Sequence, residues 1–107
     1  MLKIIKENMN KKILQYILLK SRITSKIEYE TLFIDKFPND DTQVGECRLD
    51  TKQIILKQNQ SPTEMLKTYF HECIHAASEE YKLNLTEKQV SGLEEAVYKF
   101  LRLNGWI

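Results

Sequence analysis

Hydrophobic residues in the first twenty positions recur at three- and four-residue spacing, at Leu2, Ile5, Met9, Ile13, Tyr16 and Ile17. That period predicts an amphipathic helix between Leu2 and Lys20 whose apolar stripe covers one face of a sheet. The pattern then changes. KIEYETLFID (26–35) is rich in β-branched and aromatic residues and is followed by the turn-rich FPNDDTQ. VGECRLD and QIILKQ come next, separated only by Thr51 and Lys52. These runs predict three short strands in a small antiparallel sheet, the last two forming a hairpin.

The helical period returns at QSPTEMLKTYFHECIHAASEEY. Ser61 is placed as N-cap, Pro62 at the first helical position and Glu64 three residues after the cap, the signature of a capping box. Leu66, Phe70, Cys73, Ile74 and Ala77 form the expected core face. A second helix should start at the cap residue Thr86, bury Val90, Leu93, Val97, Phe100 and Leu101, and end near Asn104 and Gly105. The two helices are expected to pair as an antiparallel hairpin, so the fold class is α+β: an N-terminal helix, a three-stranded antiparallel sheet and a helical hairpin.

Composition narrows this picture. A chain of 107 residues, 42% hydrophobic and 29% charged, with 3 Gly and 2 Pro, is the size and make-up of one compact domain over residues 1–107. The formal net charge of +1 gives no global electrostatic case for nucleic acid. Residues 1–26 are basic and residues 28–50 acidic, which reads as two solvated faces, with a basic docking arm as the lesser alternative. Cys47 and Cys73 form no CxxC, and no secretory leader is evident, so a reducing cytoplasmic setting without a disulfide framework is expected. The run ILQYILL (13–19) is too short and too polar to span a membrane.

Both histidines of the chain lie in YFHECIHAAS, as His71 and His75 with Glu72 between them. Four residues apart on a helix, two imidazoles stack on one face and can reach one ion at roughly 2.0–2.1 Å. They sit about 100 degrees or more away from Phe70, outside the predicted apolar stripe. Glu72 would lie beside the ion, where its carboxylate can take a proton from water and pass it to a leaving amine. A third ligand must come from elsewhere. The extension HExxHxxGxxH is absent, because Ser78 and Tyr81 stand where Gly and His would be. In a hairpin turning near Leu83 and Asn84, Glu94 falls level with the two histidines and faces inward, ahead of Glu95, which points outward, and Glu87, which sits nearer the loop. Cys47 is a further thiolate candidate; a two-His, one-Cys site would resemble that of peptide deformylases, whose GxGLAxxQ element is missing here. Tyr81 and Tyr98 are candidate hydrogen-bond donors to a reacting carbonyl.

With VGEC, the strand QIIL, the helix carrying FHECIHAAS and the closing TEKQVSGLEEAVYKFLRLNGW in place, residues 44–105 resemble small phage and mobile-element zinc metallopeptidases related to the ImmA/IrrE and SprT-like families. The resemblance implies a minimal zincin with one Zn²⁺ per chain, His71 and His75 as metal ligands, Glu72 as the catalytic carboxylate and a downstream Glu as third ligand. It also implies a protein or peptide substrate. SprT-like enzymes use a third histidine, which this chain lacks, and that places it nearer the glutamate-ligand branch. A metal-stabilised module that sequesters a partner without turnover is the alternative from another functional class.

Overall fold

The computed structural model describes residues 10–107. Its elements run α1 (Lys11–Ile17), β1 (Lys20–Arg22), β2 (Glu28–Ile34), β3 (Gly45–Arg48), β4 (Gln53–Lys57), α2 (Pro62–Glu80) and α3 (Glu87–Leu103). The α+β class holds, but the sheet has four strands in the order β1-β2-β4-β3 and is mixed. β1 pairs with β2, and β3 with β4, antiparallel, whereas β2 and β4 run parallel.

Two physical reasons separate this sheet from the three-stranded antiparallel one expected. Lys20–Arg22 carries no apolar alternation, since Ser21 alone turns inward, so β1 leaves no periodic signal. Residues 35–44 are long enough to carry the chain past one strand position, and β4 slots between β2 and β3. The run Ile54, Ile55, Leu56 fits that central place, being at most 1% exposed at all three positions. Consecutive apolar residues mark a strand covered on both faces, as interior strands are. The predicted β3–β4 hairpin is present, closed through Lys52 at φ 57°.

The core joins Leu14 and Leu18 to Tyr29, Ile54, Leu56, Met65 and Ala76. α1 therefore buries a different face from the one predicted: Ile13, Tyr16 and Ile17 are exposed, while Leu14 and Leu18 point inward. Leu2, Ile5 and Met9 lie outside the described residues. α1 is only seven residues long, capped by Asn10, and its register follows the chain's immediate entry into β1 rather than a long helical stripe.

α2 starts as its sequence demands. The Ser61 side chain accepts from the Glu64 amide at 3.2 Å, Pro62 occupies the first turn, and the Glu64 carboxylate takes the Ser61 hydroxyl at 3.1 Å. Met65 and Ala76 are fully buried against the sheet, with Tyr69 and Cys73 packed beside them. Of the expected core face, Leu66 is buried, but Phe70, Ile74 and Ala77 are half-buried and line an apolar groove with Val97. Further ties fix the helix. The Tyr69 and Ser21 hydroxyls hydrogen-bond, joining α2 to β1. At the far end Glu80 accepts from the Tyr29 hydroxyl at 2.9 Å and pairs with Lys52 at 2.6 Å.

α3 begins at Thr86 with a complete capping box to Gln89 and ends at Asn104, with Gly105 at φ 73°. Of its predicted buried side only Val90 is enclosed; Leu101 is half-buried, while Leu93, Val97 and Phe100 are 37–55% exposed. Among the described residues the helix packs chiefly on α2, and its outer turns meet solvent. Among the described residues no helix is long and apolar enough to cross a membrane.

The shift in the α1 face is directly measurable. Leu14→Ala should cost about 2–5 kcal/mol in urea unfolding, as a fully buried leucine does, and Ile13→Ala under about 1 kcal/mol.

Candidate metal centre

The site forms where α2 faces both β3 and α3. Lys67 pairs with Glu95 at 3.5 Å and His75 with Glu87 at 2.8 Å, so α3 returns along α2 with the reversal centred near residue 81. The sequence-based centre, at Leu83 and Asn84, was too late. Lys82 and Asn84 adopt left-handed backbone conformations, and the Leu83 and Leu85 amides both return to Ser78, one to its carbonyl and one to its hydroxyl. The connection thus folds onto the end of α2 instead of extending beyond it, and α3 starts level with His75.

With that offset Glu87, expected to sit nearer the loop, comes level with both histidines, and Glu94, expected at their height, lies one step beyond. Glu87 reaches both imidazoles, its carboxylate lying 2.6 Å from His71 Nε2 and 2.8 Å from His75 Nε2. Glu94 instead meets the opposite nitrogen of His71, Nδ1, at 3.0 Å. Glu95 points away, as expected, paired with Lys67 and Lys99. The imidazole rings lie edge to face with centroids 5.0 Å apart.

His71, His75 and Glu87 form a group that could hold a metal ion, their donor atoms all within 4.8 Å of one another. Ligands at 2.0–2.1 Å around a tetrahedral ion are about 3.3 Å apart, so admitting one requires the Glu87 contacts to open by roughly 0.5 to 0.7 Å. Glu87 can supply that movement, because its side chain is 68% exposed on the first turn of α3. Two neutral-capable nitrogens and one carboxylate suit zinc and similar divalent ions.

Glu72 lies outside this group, in the seam between α2 and β3, and is 8% exposed. Gly45 makes that seam possible. A methyl group at its Cα would fall 2.5 Å from Thr68 Cγ2 and 2.9 Å from Glu72 Oε2. A lone glycine inside a strand is the signal for such a close backbone approach. Nearby, the Gln60 amide donates to the Lys57 and Val44 carbonyls while its oxygen accepts from the Thr68 hydroxyl, holding the entry to β3 against α2.

Two clefts meet at Glu72. One, of about 400 Å³, runs past Cys47, Leu49, His75, Ser78 and Leu85; the other, of about 310 Å³, passes Gly45, Thr68, His71, Glu87 and Glu94. Cys47 therefore stands beside the site without joining the ligand group, and burial, followed by the nearby Glu72, pushes its thiol up to about 12. Tyr81 is exposed at the end of α2, and the Tyr98 ring carries the Lys67 ammonium 4.7 Å from its centre; neither lines either of these two clefts.

Burial is the main cause that raises Glu72 to about 7; His71 opposes it, and the charges of Glu87, Glu46 and Glu94 add to it. Burial pushes His71 the other way, but the hydrogen bond to Glu94 and the fields of Glu72 and Glu87 outweigh it, and the ring is held above its usual value. With a carboxylate at each nitrogen, both ring N–H groups can donate only as an imidazolium. A metal ion would displace the Nε2 proton.

Two predictions follow from this seam. Gly45→Ala should cost about 1–3 kcal/mol by overpacking against Thr68 and should move Glu72, read as a lowered melting temperature with a changed Glu72 titration. In metal-free protein, Glu72 and His71 both have folded values above their unfolded ones, 4.5 and 6.5. Their stabilisation is complete at low pH and is lost as pH rises, for Glu72 between about 4.5 and 7. Urea stability should therefore fall by on the order of 2 kcal/mol across that window, and Glu72→Gln should flatten the fall. Compared with known proteins, the chain matches no family model, no curated protein and no solved structure.

Proposed function

We propose that the chain is a zinc-dependent peptidase in which His71, His75 and Glu87 hold the ion and Glu72 moves the proton. The observation that carries this reading is the closure of Glu87 on Nε2 of both helix-borne imidazoles while Glu72, one residue after His71, stays free of that group. A bound zinc ion supplies Lewis acidity towards a carbonyl oxygen and makes nearby water more acidic. Glu72, at the junction of the two clefts, takes a proton from the attacking water and returns it to the departing amine nitrogen. Its elevated value in the metal-free chain reflects a seam with little water, and a cation beside it would draw that value down.

Substrate alignment falls to β3. It is one of the two edge strands of the sheet and the one that runs beside α2 at Glu72, so an extended peptide can add along it with side chains alternating into the clefts. A protein or peptide substrate inside a cell, in a phage or mobile-element setting, is the context that the sequence resemblance adds. A second reading, a metal-stabilised module that binds a partner without turnover, is favoured by the apolar residues Leu93, Val97 and Phe100 exposed on α3.

Elemental analysis and a mixed-peptide cleavage assay separate these. The peptidase should carry one zinc per chain, lose it in His75→Ala, and keep it in Glu72→Gln with hydrolysis reduced about 10²–10⁴-fold. Zinc in the parent with no cleavage of any peptide would favour the binding module, and a parent that takes up no zinc would exclude both.

A further inference from the structure

α3 presents Glu87 and Glu94 seven residues apart, two turns along one stripe, with the fully buried Val90 between them. Both carboxylates reach the same imidazole from opposite edges, Glu87 at Nε2 and Glu94 at Nδ1 of His71. We infer that Glu94 is a positioning residue: it holds His71 with the proton on Nδ1 and the Nε2 lone pair turned to the ion, while Glu87 is the ligand. This rests on the metal-centre reading above and adds a division of labour between two otherwise equivalent glutamates.

The geometry argues for that division. One carboxylate cannot serve both edges of a ring, so Glu94 could join the ligand group only if His71 turned over and gave up its Nδ1 contact. The ring has little room to turn, with its side chain 16% exposed between α2 and α3. Glu94 is itself 22% exposed, against 68% for Glu87, so it sits in the drier and more fixed position, where a hydrogen bond to an imidazole N–H is stronger. Among the described residues His75 has no equivalent partner at Nδ1; it meets Glu87 through Nε2. His71 is thus the pre-oriented histidine, and His75 completes the site around it. A carboxylate behind a metal-bound imidazole fixes its tautomer and increases its basicity, and losing one typically weakens metal binding by roughly 10–100-fold.

The test compares Glu94→Ala, Glu94→Gln and Glu87→Ala with the parent, using zinc competition against a chromophoric chelator, the visible spectrum of the cobalt(II) form, and nitrogen-15 NMR of the histidine rings. Glu94→Ala should weaken zinc by roughly 10–100-fold without moving the cobalt bands. Glu94→Gln, whose carbonyl oxygen still accepts from Nδ1–H, should recover most of that loss. Glu87→Ala should lose more affinity and alter the bands, because a ligand is removed. Unchanged affinity in Glu94→Ala, or a band shift equal to that of Glu87→Ala, would overturn the assignment. NMR of metal-free protein above the His71 titration separates this inference from the zinc reading. An Nδ1–H tautomer lost in Glu94→Ala shows that Glu94 sets the His71 tautomer, so that a parent which nevertheless takes no metal overturns the zinc reading and not this contact, whereas an Nε2–H tautomer in the parent overturns the positioning role itself.

Discussion

The rotation of α2 about its own axis is the constraint on which every part of the site depends. Met65, Tyr69, Cys73 and Ala76 pack towards the sheet and fix that rotation. At 100 degrees per residue, Glu72, His75 and His71 then stand about 60, 120 and 160 degrees from Tyr69 around the helix. The three side chains therefore step from the β3 seam, through open cleft, to the α3 contact. A rotation of one residue would, depending on its direction, either turn His75 into the sheet face or swing Glu72 out of the β3 seam. Gly45 on one side and Val90 on the other set how closely the neighbouring elements may approach.

The same arrangement concentrates negative charge. Glu72, Glu87 and Glu94 surround two imidazoles, with Glu46 near enough to raise Glu72 further. Without a cation the cluster is balanced by protons, on a raised Glu72 and a doubly bonded His71. A divalent ion would resolve the crowding more completely, because it would replace the Nε2 proton, offset the charge of Glu87 and leave Glu94 its N–H donor. Charge balance and ligand geometry thus point to the same place in the fold.

How much of this was legible beforehand depended on whether the controlling interaction was local. The caps at Ser61 and Thr86, the β3–β4 hairpin and the two histidines on one helix face are set within a few residues, and each is found where the sequence puts it. The partner of β2 was not local. Parallel pairing with β4 depends on a ten-residue connection passing a strand position, which no periodicity records. Within the described part of α1 the buried face also differs from the expected stripe: Leu14 and Leu18, not Ile13, Tyr16 and Ile17, join the core, a choice made by contacts distant in sequence such as Tyr29 and Ile54. The height of Glu87 depends on the turn centre, which the fold-back onto Ser78 places more than two residues earlier than helix lengths alone indicate.

Val90 is the one fully enclosed side chain of α3, and the helix is held chiefly by its contacts to α2. Few enclosed apolar contacts mean a low local opening free energy, so amide hydrogens of α3 should exchange well before those of the central strand β4. An ion bound by His71 and His75 from α2 and Glu87 from α3 would be held only by the closed arrangement. Its affinity would then appear as protection of α3, coupling metal occupancy to whether the last fifth of the chain stays docked.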